Sequence, residues 1–193
     1  MKIHIVRNTL LQSCSYILES DSALWMIDVG DSNAILCIQK ESNKPLNGLF
    51  ITHCHHDHVY GLKSLLSLFP SVKVYCSPKT YQGLKNKKLN LSYMHPKYSF
   101  ECDLGKNYQE IKAGLIEADG LQVEAIFTPG HSSDCTSYLI GDTIYTGDSY
   151  IPFADVFYKW PDSNKEEALQ NESYLKSLIE HRHYQVFPGH WKI

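Results

Sequence analysis

The chain has 193 residues, of which 43% are hydrophobic and 20% charged, and it carries 18 basic against 21 acidic side chains. This composition is typical of a globular protein and excludes a disordered chain or a coiled coil. The net charge of −3 disfavours a nucleic-acid partner.

No apolar run is long enough to span a bilayer, and the first residues do not resemble a signal peptide. We therefore expect one cytoplasmic domain over residues 1–193, with a small-molecule substrate and no membrane or nucleic-acid partner. The six cysteines include no CxxC pair, so we expect reduced, mostly buried thiols. The oligomeric state stays open.

The first third of the chain alternates short β-rich runs with polar residues, which predicts an antiparallel meander. Its strands are predicted at Lys2–Arg7, Ser13–Glu19 and Ala23–Val29. A helix with Asp31 or Ser32 as N-cap follows, because apolar residues recur at helical spacing. Beyond it, we predict strands at 49–51 and 72–76, and helices at 62–69 and from Pro78 onward.

The hydrophobic residues of 86–108 show no regular period. We interpret this segment as an excursion from the regular strands and helices that could serve as a substrate flap. Strands are then predicted at 111–117, 123–127, 137–140, 143–145 and 184–187, with a helix at 165–180. The apolar side of that helix is predicted to hold Leu169, Leu175, Leu178 and Ile179. Helices interleaved with strands in both halves favour two sheets or one large mixed sheet.

Four of the ten histidines lie within residues 53–58. In an extended run, side chains at i and i+2 point the same way, so His53 and His55 can share one metal while Cys54 points away. Asp57 and His58 lie where the chain turns into a helix and can reach a second position. Imidazole and carboxylate groups are ligands for zinc, iron or manganese.

Three later strand ends share one pattern, in which an apolar strand and a glycine precede a side chain that can bind metal. They lead into His131, Asp148 and His190. Ligands at the ends of several strands converge at one rim of a sheet. Each of these sites also has a purely structural interpretation: a solvated His-x-His loop, a helix cap at Asp57, and turn residues at 129–131 and 148. Taken together, however, the sites favour a metal centre.

The remaining histidines lack this context. We expect four of them to be structural or solvated, namely His4, His95, His181 and His183. His56 is expected to face away from the metals and to brace a ligand.

The pattern His53-x-His55-x-Asp57-His58, followed by His131, Asp148 and His190, resembles the metallo-β-lactamase superfamily from Asp28 to His190. The resemblance implies an α+β fold, an αβ/βα four-layer sandwich of two mixed sheets with helices on the outer faces. It also implies a dinuclear site. His53, His55 and His131 correspond to the ligands of the first metal, Asp57, His58 and His190 to those of the second, and Asp148 to the bridging carboxylate.

Two runs look like the glyoxalase II-like branch, namely Thr128–His131 and Tyr145–Asp148. The sequence differs from glyoxalase II at Tyr60, where that branch usually has glycine. It also ends three residues after His190, without a counterpart of the helical region that helps to bind the glutathione thioester. Both differences count against the glutathione thioester as the substrate.

The resemblance implies a hydrolase with two divalent ions, most readily Zn²⁺, with Fe or Mn as alternatives. A hydroxide shared by the two ions is expected to attack a small ester, thioester, lactone or related bond. Asp57 is the expected catalytic residue, which orients the hydroxide or relays its proton. Two alternatives stay open: a mononuclear iron enzyme resembling persulfide dioxygenases, and a non-catalytic metal-binding module.

Three further groups of residues have a structural interpretation as well as a functional one, and the structural one is favoured for each. The aromatic residues that follow Asp148 are expected to pack in the core rather than to line a substrate pocket. They are Tyr150, Phe153, Phe157, Tyr158 and Trp160. Core packing is likewise expected, rather than a lid, for Tyr93, Tyr98 and Phe100. A solvated loop is expected, rather than a site that attracts an anionic substrate, for Lys85, Lys87 and Lys88.

Overall fold

The computed structural model describes residues 1–191. The chain divides into two compact units, the first being Met1–Glu110 and the second beginning at Ile111. Each unit is built on one β-sheet. The expectation of a single domain over residues 1–193 stays a prediction. Within residues 1–191, no helix combines the length and apolar character needed to cross a membrane.

The first unit contains a six-stranded mixed sheet in the order β1-β2-β3-β4-β5-β6. Strands β1 to β3 are antiparallel and β3 to β6 are parallel, so the predicted meander is confirmed. The short strand β6 lies inside the stretch that showed no period in the sequence. The strands are β1 Lys2–Arg7, β2 Cys14–Glu19, β3 Leu24–Ile27, β4 Leu46–Phe50, β5 Lys73–Cys76 and β6 Tyr108–Glu110.

Four α-helices follow the strands of this unit. They are α1 Asn33–Ser42, α2 His56–Val59, α3 Leu62–Leu68 and α4 Pro78–Leu84. Pro78 opens α4 as predicted, and the Ser77 hydroxyl accepts a hydrogen bond from the Thr80 N–H at 3.1 Å. Helix α1 begins after Ser32, but no side chain caps it. The Asp31 carboxylate instead accepts the N–H of Thr9 at 2.8 Å.

Residues 86–107 belong to the first unit and contain three 3₁₀ turns, at Ser92–Met94, Pro96–Tyr98 and Gly105–Asn107. Buried Asn90 and Ser92 both donate to the carbonyl of Phe100, at 3.1 and 3.2 Å. The ring of Phe100 belongs to the hydrophobic core, so its expected packing is confirmed. Side-chain hydrogen bonds to the backbone therefore stabilise a stretch that has no regular hydrophobic period.

The second unit contains a five-stranded sheet in the order β11-β10-β9-β8-β7. Its strands are β7 Gly114–Ala118, β8 Leu121–Phe127, β9 Thr136–Ile140, β10 Thr143–Gly147 and β11 Gln185–Pro188. Neighbours are antiparallel except for β10 and β11, which are parallel. Because β8, β10 and β11 therefore run in the same direction, their carboxyl ends lie at one edge of this sheet.

Helix α5, Lys165–Arg182, joins β10 to β11. Its N-cap Asn164 accepts hydrogen bonds from two N–H groups of the first turn, and Leu175 packs with Leu139 and Ile144. Leu178 and Ile179 pack against this cluster as expected, whereas Leu169 is exposed, which corrects its predicted place on the apolar side.

The six cysteines all lie within residues 1–191, and none of them forms a disulfide bond. Five are buried and Cys37 is exposed, which matches the expectation of mostly buried thiols.

A charge cluster on β2 sets one pH dependence of the fold. The Glu19 carboxylate lies 2.8 Å from Lys44 Nζ and 2.8 Å from His4 Nε2. These hydrogen bonds, that of Lys44 first, lower the pKa of Glu19 to about 2. A carboxyl whose pKa falls on folding stabilises the protein above its unfolded-state pKa, and this contribution is lost as the pH falls toward 2.

We predict that Glu19→Gln lowers the midpoint of thermal unfolding at pH 7. The difference from wild type should shrink as the pH falls from 5 to 2, because protonation of Glu19 then removes the same charge. Thermal melts of both proteins across this pH range measure the effect, with Glu41→Gln at an exposed position of α1 as the control. A difference that does not change with pH would contradict the assignment.

Candidate metal centre

The histidine cluster of the first unit follows β4 and enters α2. His53, His55, Asp57 and His58 are all buried. The ring centroids of His53 and His55 lie 4.6 Å apart, and those of His53 and His58 lie 4.4 Å apart. His53 and His55 therefore lie side by side, as their i, i+2 spacing predicted.

Asp28 follows β3 and orients two of these rings. Its carboxylate accepts the His58 Nδ1–H at 2.9 Å, the Thr52 N–H at 2.8 Å and the Thr52 hydroxyl at 2.7 Å. Because the Thr52 hydroxyl donates to Asp28, its oxygen accepts from His53 Nδ1, which lies 3.0 Å away. His53 and His58 therefore both carry their proton on Nδ1 and keep the Nε2 lone pair for a metal.

Sequence analysis assigned no role to Asp28, although one signal was available. Asp28 follows a buried strand directly, as Asp148 follows β10. The parallel pairing of β3 with β4 brings Asp28 to the end of β4, where the histidine cluster begins.

Asp57 lies next to His58 at the start of α2. Its Oδ2 atom is 3.5 Å from His58 Nε2, so the carboxylate is on the same side as the lone pair that Asp28 leaves available. The Ser13 hydroxyl donates to the Asp57 carbonyl at 2.7 Å and fixes this turn of the backbone.

His56 and Cys54 take a different direction from the three clustered rings. His56 Nε2 lies 3.2 Å from His95 Nδ1, and burial lowers the pKa of His56. The Cys54 thiol lies 3.7 Å from the carbonyl of Leu89, and a Cβ on Gly83 would collide with it. Both residues therefore contact the segment after α4, as the alternation predicted for Cys54.

The second unit gathers three further side chains that can bind metal at the carboxyl ends of β8, β10 and β11. His131 follows the turn after β8, Asp148 follows β10 and His190 follows β11. Asp148 Oδ2 lies 3.4 Å from His131 Nε2 and 3.5 Å from His190 Nε2. One carboxylate oxygen therefore lies near two imidazoles.

The loop after β10 orients the His131 ring. The Phe157 carbonyl accepts the His131 Nδ1–H at 2.8 Å, and the Ser163 hydroxyl donates to the His131 carbonyl at 2.6 Å. A carbonyl can only accept, so the Nε2 lone pair of His131 stays available for a metal. The sequence did not indicate this role of Phe157, because the contact is made by its backbone.

The aromatic residues of this loop correct one expectation. Phe153 is 56% exposed and Phe157 is 45% exposed, so neither packs in the core. The Phe157 carbonyl instead orients His131, and Phe153 lies in the short turn between Ile151 and Ala154, which an isolated β-bridge joins. Tyr150 does pack against the core cluster of the second unit.

A hydrogen bond and a ring contact hold Tyr60, the residue that differs from the glyoxalase II pattern. Its hydroxyl donates to Asp31 at 2.6 Å, and its ring meets that of Tyr98 edge-on at 5.4 Å. Burial and the bond to Asp31 raise the pKa of Tyr60 to about 12. This hydroxyl is therefore neutral at physiological pH and serves as a donor.

Comparison with known proteins identifies the family. A family profile described as the metallo-β-lactamase superfamily matches residues 8–190, and the chain belongs to this superfamily. The seven expected metal ligands all lie within the matched range. The prediction of a metal-dependent hydrolase of this superfamily is confirmed.

Three relatives illustrate the range of the family. The chain is 28% identical to a probable metallo-hydrolase of Streptococcus pyogenes serotype M6, covering 98% of this chain and 84% of that protein. It is 28% identical to hydroxyacylglutathione hydrolase of Shewanella halifaxensis, over 68% of this chain and 44% of that protein. It is 26% identical to the probable polyketide biosynthesis zinc-dependent hydrolase PksB of Bacillus subtilis, over 91% and 71%.

Solved structures confirm the predicted fold class. The B3 metallo-β-lactamase BLEG-1 matches with a TM-score of 0.84 and 19% identity, covering 99% of this chain and 92% of that chain. TTHA1623 in a di-iron-bound form matches with a TM-score of 0.82 and 20% identity, covering 98% and 92%. At these identities the matches establish the fold, which consists of two mixed sheets with helices.

We predict that Asp28→Asn weakens divalent-metal binding about 10- to 100-fold, because the amide no longer orients His58 and Thr52 as the carboxylate does. Competition of Zn²⁺ against a chromophoric chelator measures the effect. Asp31→Asn is the matched control, since Asp31 holds Thr9 and Tyr60 and contacts none of the clustered histidines. Equal metal affinity in the Asp28 variant and wild type would refute this role.

Gly130 allows the turn that carries His131 to approach helix α5. Its φ is +137°, and a Cβ there would collide with the backbone N and Cα of Ala168. We predict that Gly130→Ala costs about 2–4 kcal/mol of unfolding free energy, from strain and steric overlap. Urea denaturation measures it, with Gly141→Ala as the control, since Gly141 also has positive φ but no neighbour within 4 Å of a Cβ. Equal losses in the two variants would show that the overlap with α5 contributes nothing.

Proposed function

We propose that the protein is a dinuclear metal-dependent hydrolase that acts on a small ester, thioester, lactone or related bond. In this proposal His53, His55 and His131 hold the first ion, Asp57, His58 and His190 hold the second, and Asp148 bridges both. The observation that carries it is the protonation pattern: protein acceptors hold Nδ1 of His53, His58 and His131. Each of these rings therefore offers Nε2 to a cation.

The donor chemistry fits divalent ions. The set contains five imidazoles and two carboxylates, which are ligands for zinc, iron and manganese. Asp148 supports the bridging role, because the same oxygen lies near Nε2 of both His131 and His190. Seven side chains shared by two ions also leave coordination positions for water, as a catalytic site requires.

Two divalent ions supply Lewis acidity and lower the pKa of bound water toward neutrality. The contribution of the chain is to orient the reactants. Asp57 is buried beside His58 and is the group proposed to hold the attacking water in line or to accept its proton. The Asp28–Thr52 pair keeps His53 and His58 in the tautomer that binds a cation.

The relatives support the substrate class and the metals. One is named for an acylglutathione substrate, which is a thioester, and another is named as zinc-dependent. The fold is also shared with a protein crystallised in a di-iron-bound form. We therefore propose Zn²⁺ as the first choice of ion and iron as the alternative.

The test is metal content measured together with a hydrolysis screen over thioesters, lactones, β-lactams and phosphodiesters. We expect about two equivalents of metal and turnover of at least one acyl substrate. His55→Ala and Asp148→Asn should each lose bound metal and about 100-fold or more in kcat. His181→Ala, at the last turn of α5, is the matched control and should retain both. Well under one equivalent of metal, with no turnover after loading with zinc or iron, would overturn the proposal.

A further inference from the structure

The loop of residues 149–164 joins β10 to α5 in the second unit and contains five aromatic residues. All of its residues are described, and it forms no helix or strand apart from the bridge between Ile151 and Ala154. Irregular loops of this length in compact domains commonly carry function. Because the rings of Phe153 and Phe157 are exposed, core packing does not account for them.

The last part of this loop is hydrogen-bonded to the turn that carries His131. The Phe157 carbonyl accepts the His131 Nδ1–H at 2.8 Å, and the Ser163 hydroxyl donates to the His131 carbonyl at 2.6 Å. The Asn164 N–H donates to the Gly130 carbonyl at 2.9 Å. Phe157 is therefore in direct contact with the imidazole of a proposed metal ligand.

The first part of the loop adjoins the other two proposed ligands of the second unit. It begins directly after Asp148, whose Oδ2 atom lies 3.5 Å from His190 Nε2. The ring of Phe153 meets the ring of Trp191, the residue that follows His190, with the centroids 6.1 Å apart. The loop therefore contacts or adjoins the residues around all three ligands.

The exposed phenylalanines each pair with a partly buried tryptophan. Besides the Phe153–Trp191 pair, the rings of Phe157 and Trp160 lie 5.0 Å apart and are tilted by 52°. The Trp160 N–H donates to the Ser163 hydroxyl at 3.1 Å, and that hydroxyl donates to His131. The second pair is therefore held in a fixed position relative to a metal ligand.

The ligand set is open to solvent at His190. The His190 side chain is 24% exposed, whereas the other six expected ligands are buried. Trp191 follows His190 directly, and Phe153 packs on Trp191. An aromatic pair therefore stands beside the most accessible of the proposed ligands.

We propose that the two aromatic pairs, Phe153–Trp191 and Phe157–Trp160, bind the acyl group of the substrate. The substrate class is an ester or thioester whose acyl group is uncharged and bears an aryl ring. The inference rests on the proposed hydrolase function and narrows its substrate. Tilted aromatic pairs present both faces and edges, and an added ring gains stacking or edge-to-face energy beyond the apolar area that it buries.

The charge of the loop favours an uncharged acyl group over an ionised one. Residues 149–164 contain two acidic side chains and one basic side chain, so the loop is close to neutral. Asp162 accepts the N–H of Ser133 at 3.2 Å. A carboxylate or phosphate on the acyl group would lose water without gaining a matched set of cations.

The test compares two thioesters of N-acetylcysteamine that differ only in the acyl group, phenylacetyl and acetyl. For the metal-loaded enzyme, we expect kcat/KM to be about tenfold or more higher for the phenylacetyl ester. Phe153→Ala/Phe157→Ala should lower this ratio about tenfold, chiefly through KM for the phenylacetyl ester. The variant keeps the Phe157 carbonyl, because that group belongs to the backbone.

The matched control is Tyr174→Ala. It removes a ring that is 47% exposed, close to the 45% of Phe157, at a position about 15 Å along α5 from Asn164. This variant should keep the preference for the phenylacetyl ester, and all three proteins should bind equal amounts of metal. A preference that falls only together with bound metal would overturn the assignment of the rings to substrate binding.

A binding measurement separates this inference from the proposed function. Titration with N-ethyl-2-phenylacetamide, an uncharged amide in place of the thioester, needs no turnover and is followed by tryptophan fluorescence. We expect Phe153→Ala/Phe157→Ala to bind it about fivefold or more weakly than wild type and Tyr174→Ala. Failure to hydrolyse either thioester while this difference persists would count against the hydrolase alone. Equal affinity in all three proteins, or equal wild-type kcat/KM for both thioesters, would overturn the aromatic site.

Discussion

The hydrogen bonds made by the Asp28 carboxylate are the constraint on which the first half of the candidate site depends. Asp28 is buried and accepts from His58 directly and from His53 through the hydroxyl of Thr52. A buried carboxylate is costly unless it is paired in this way. The same bonds that satisfy it also select the tautomer of two potential metal ligands, so stability and metal binding rest on one network.

The second half of the site is organised differently. A backbone carbonyl, that of Phe157, orients His131, and the three proposed ligands of the second unit follow β8, β10 and β11. Gly130 lets the turn before His131 lie against α5 without a side-chain clash. Backbone groups therefore position His131 in the second unit, whereas a buried carboxylate positions the histidines in the first. The loop that orients His131 also leaves Phe153 and Phe157 exposed.

Within the first unit, the segment after α4 contacts His56 of the histidine cluster through Asn90 and His95. The sequence favoured a solvated loop for Lys85, Lys87 and Lys88, and the lysines at 87 and 88 are indeed exposed. Their backbone is nevertheless fixed by Asn86 and attached to His56 through Asn90. The charge of a loop and its rigidity are therefore separate properties.

The sequence by itself determined the strand and helix order, the superfamily and the residue types of the candidate site, because hydrophobic period, glycine at strand ends and the His-x-His-x-Asp-His spacing are local signals. It missed β6, the role of Asp28 and the exposure of Phe153. Strand β6 depends on pairing with β5, and Asp28 reaches His58 because β3 and β4 are parallel neighbours. Only the tertiary structure decided these features, because β6 and Asp28 each depend on a partner that lies tens of residues away along the chain, and the exposure of a side chain is set by tertiary packing.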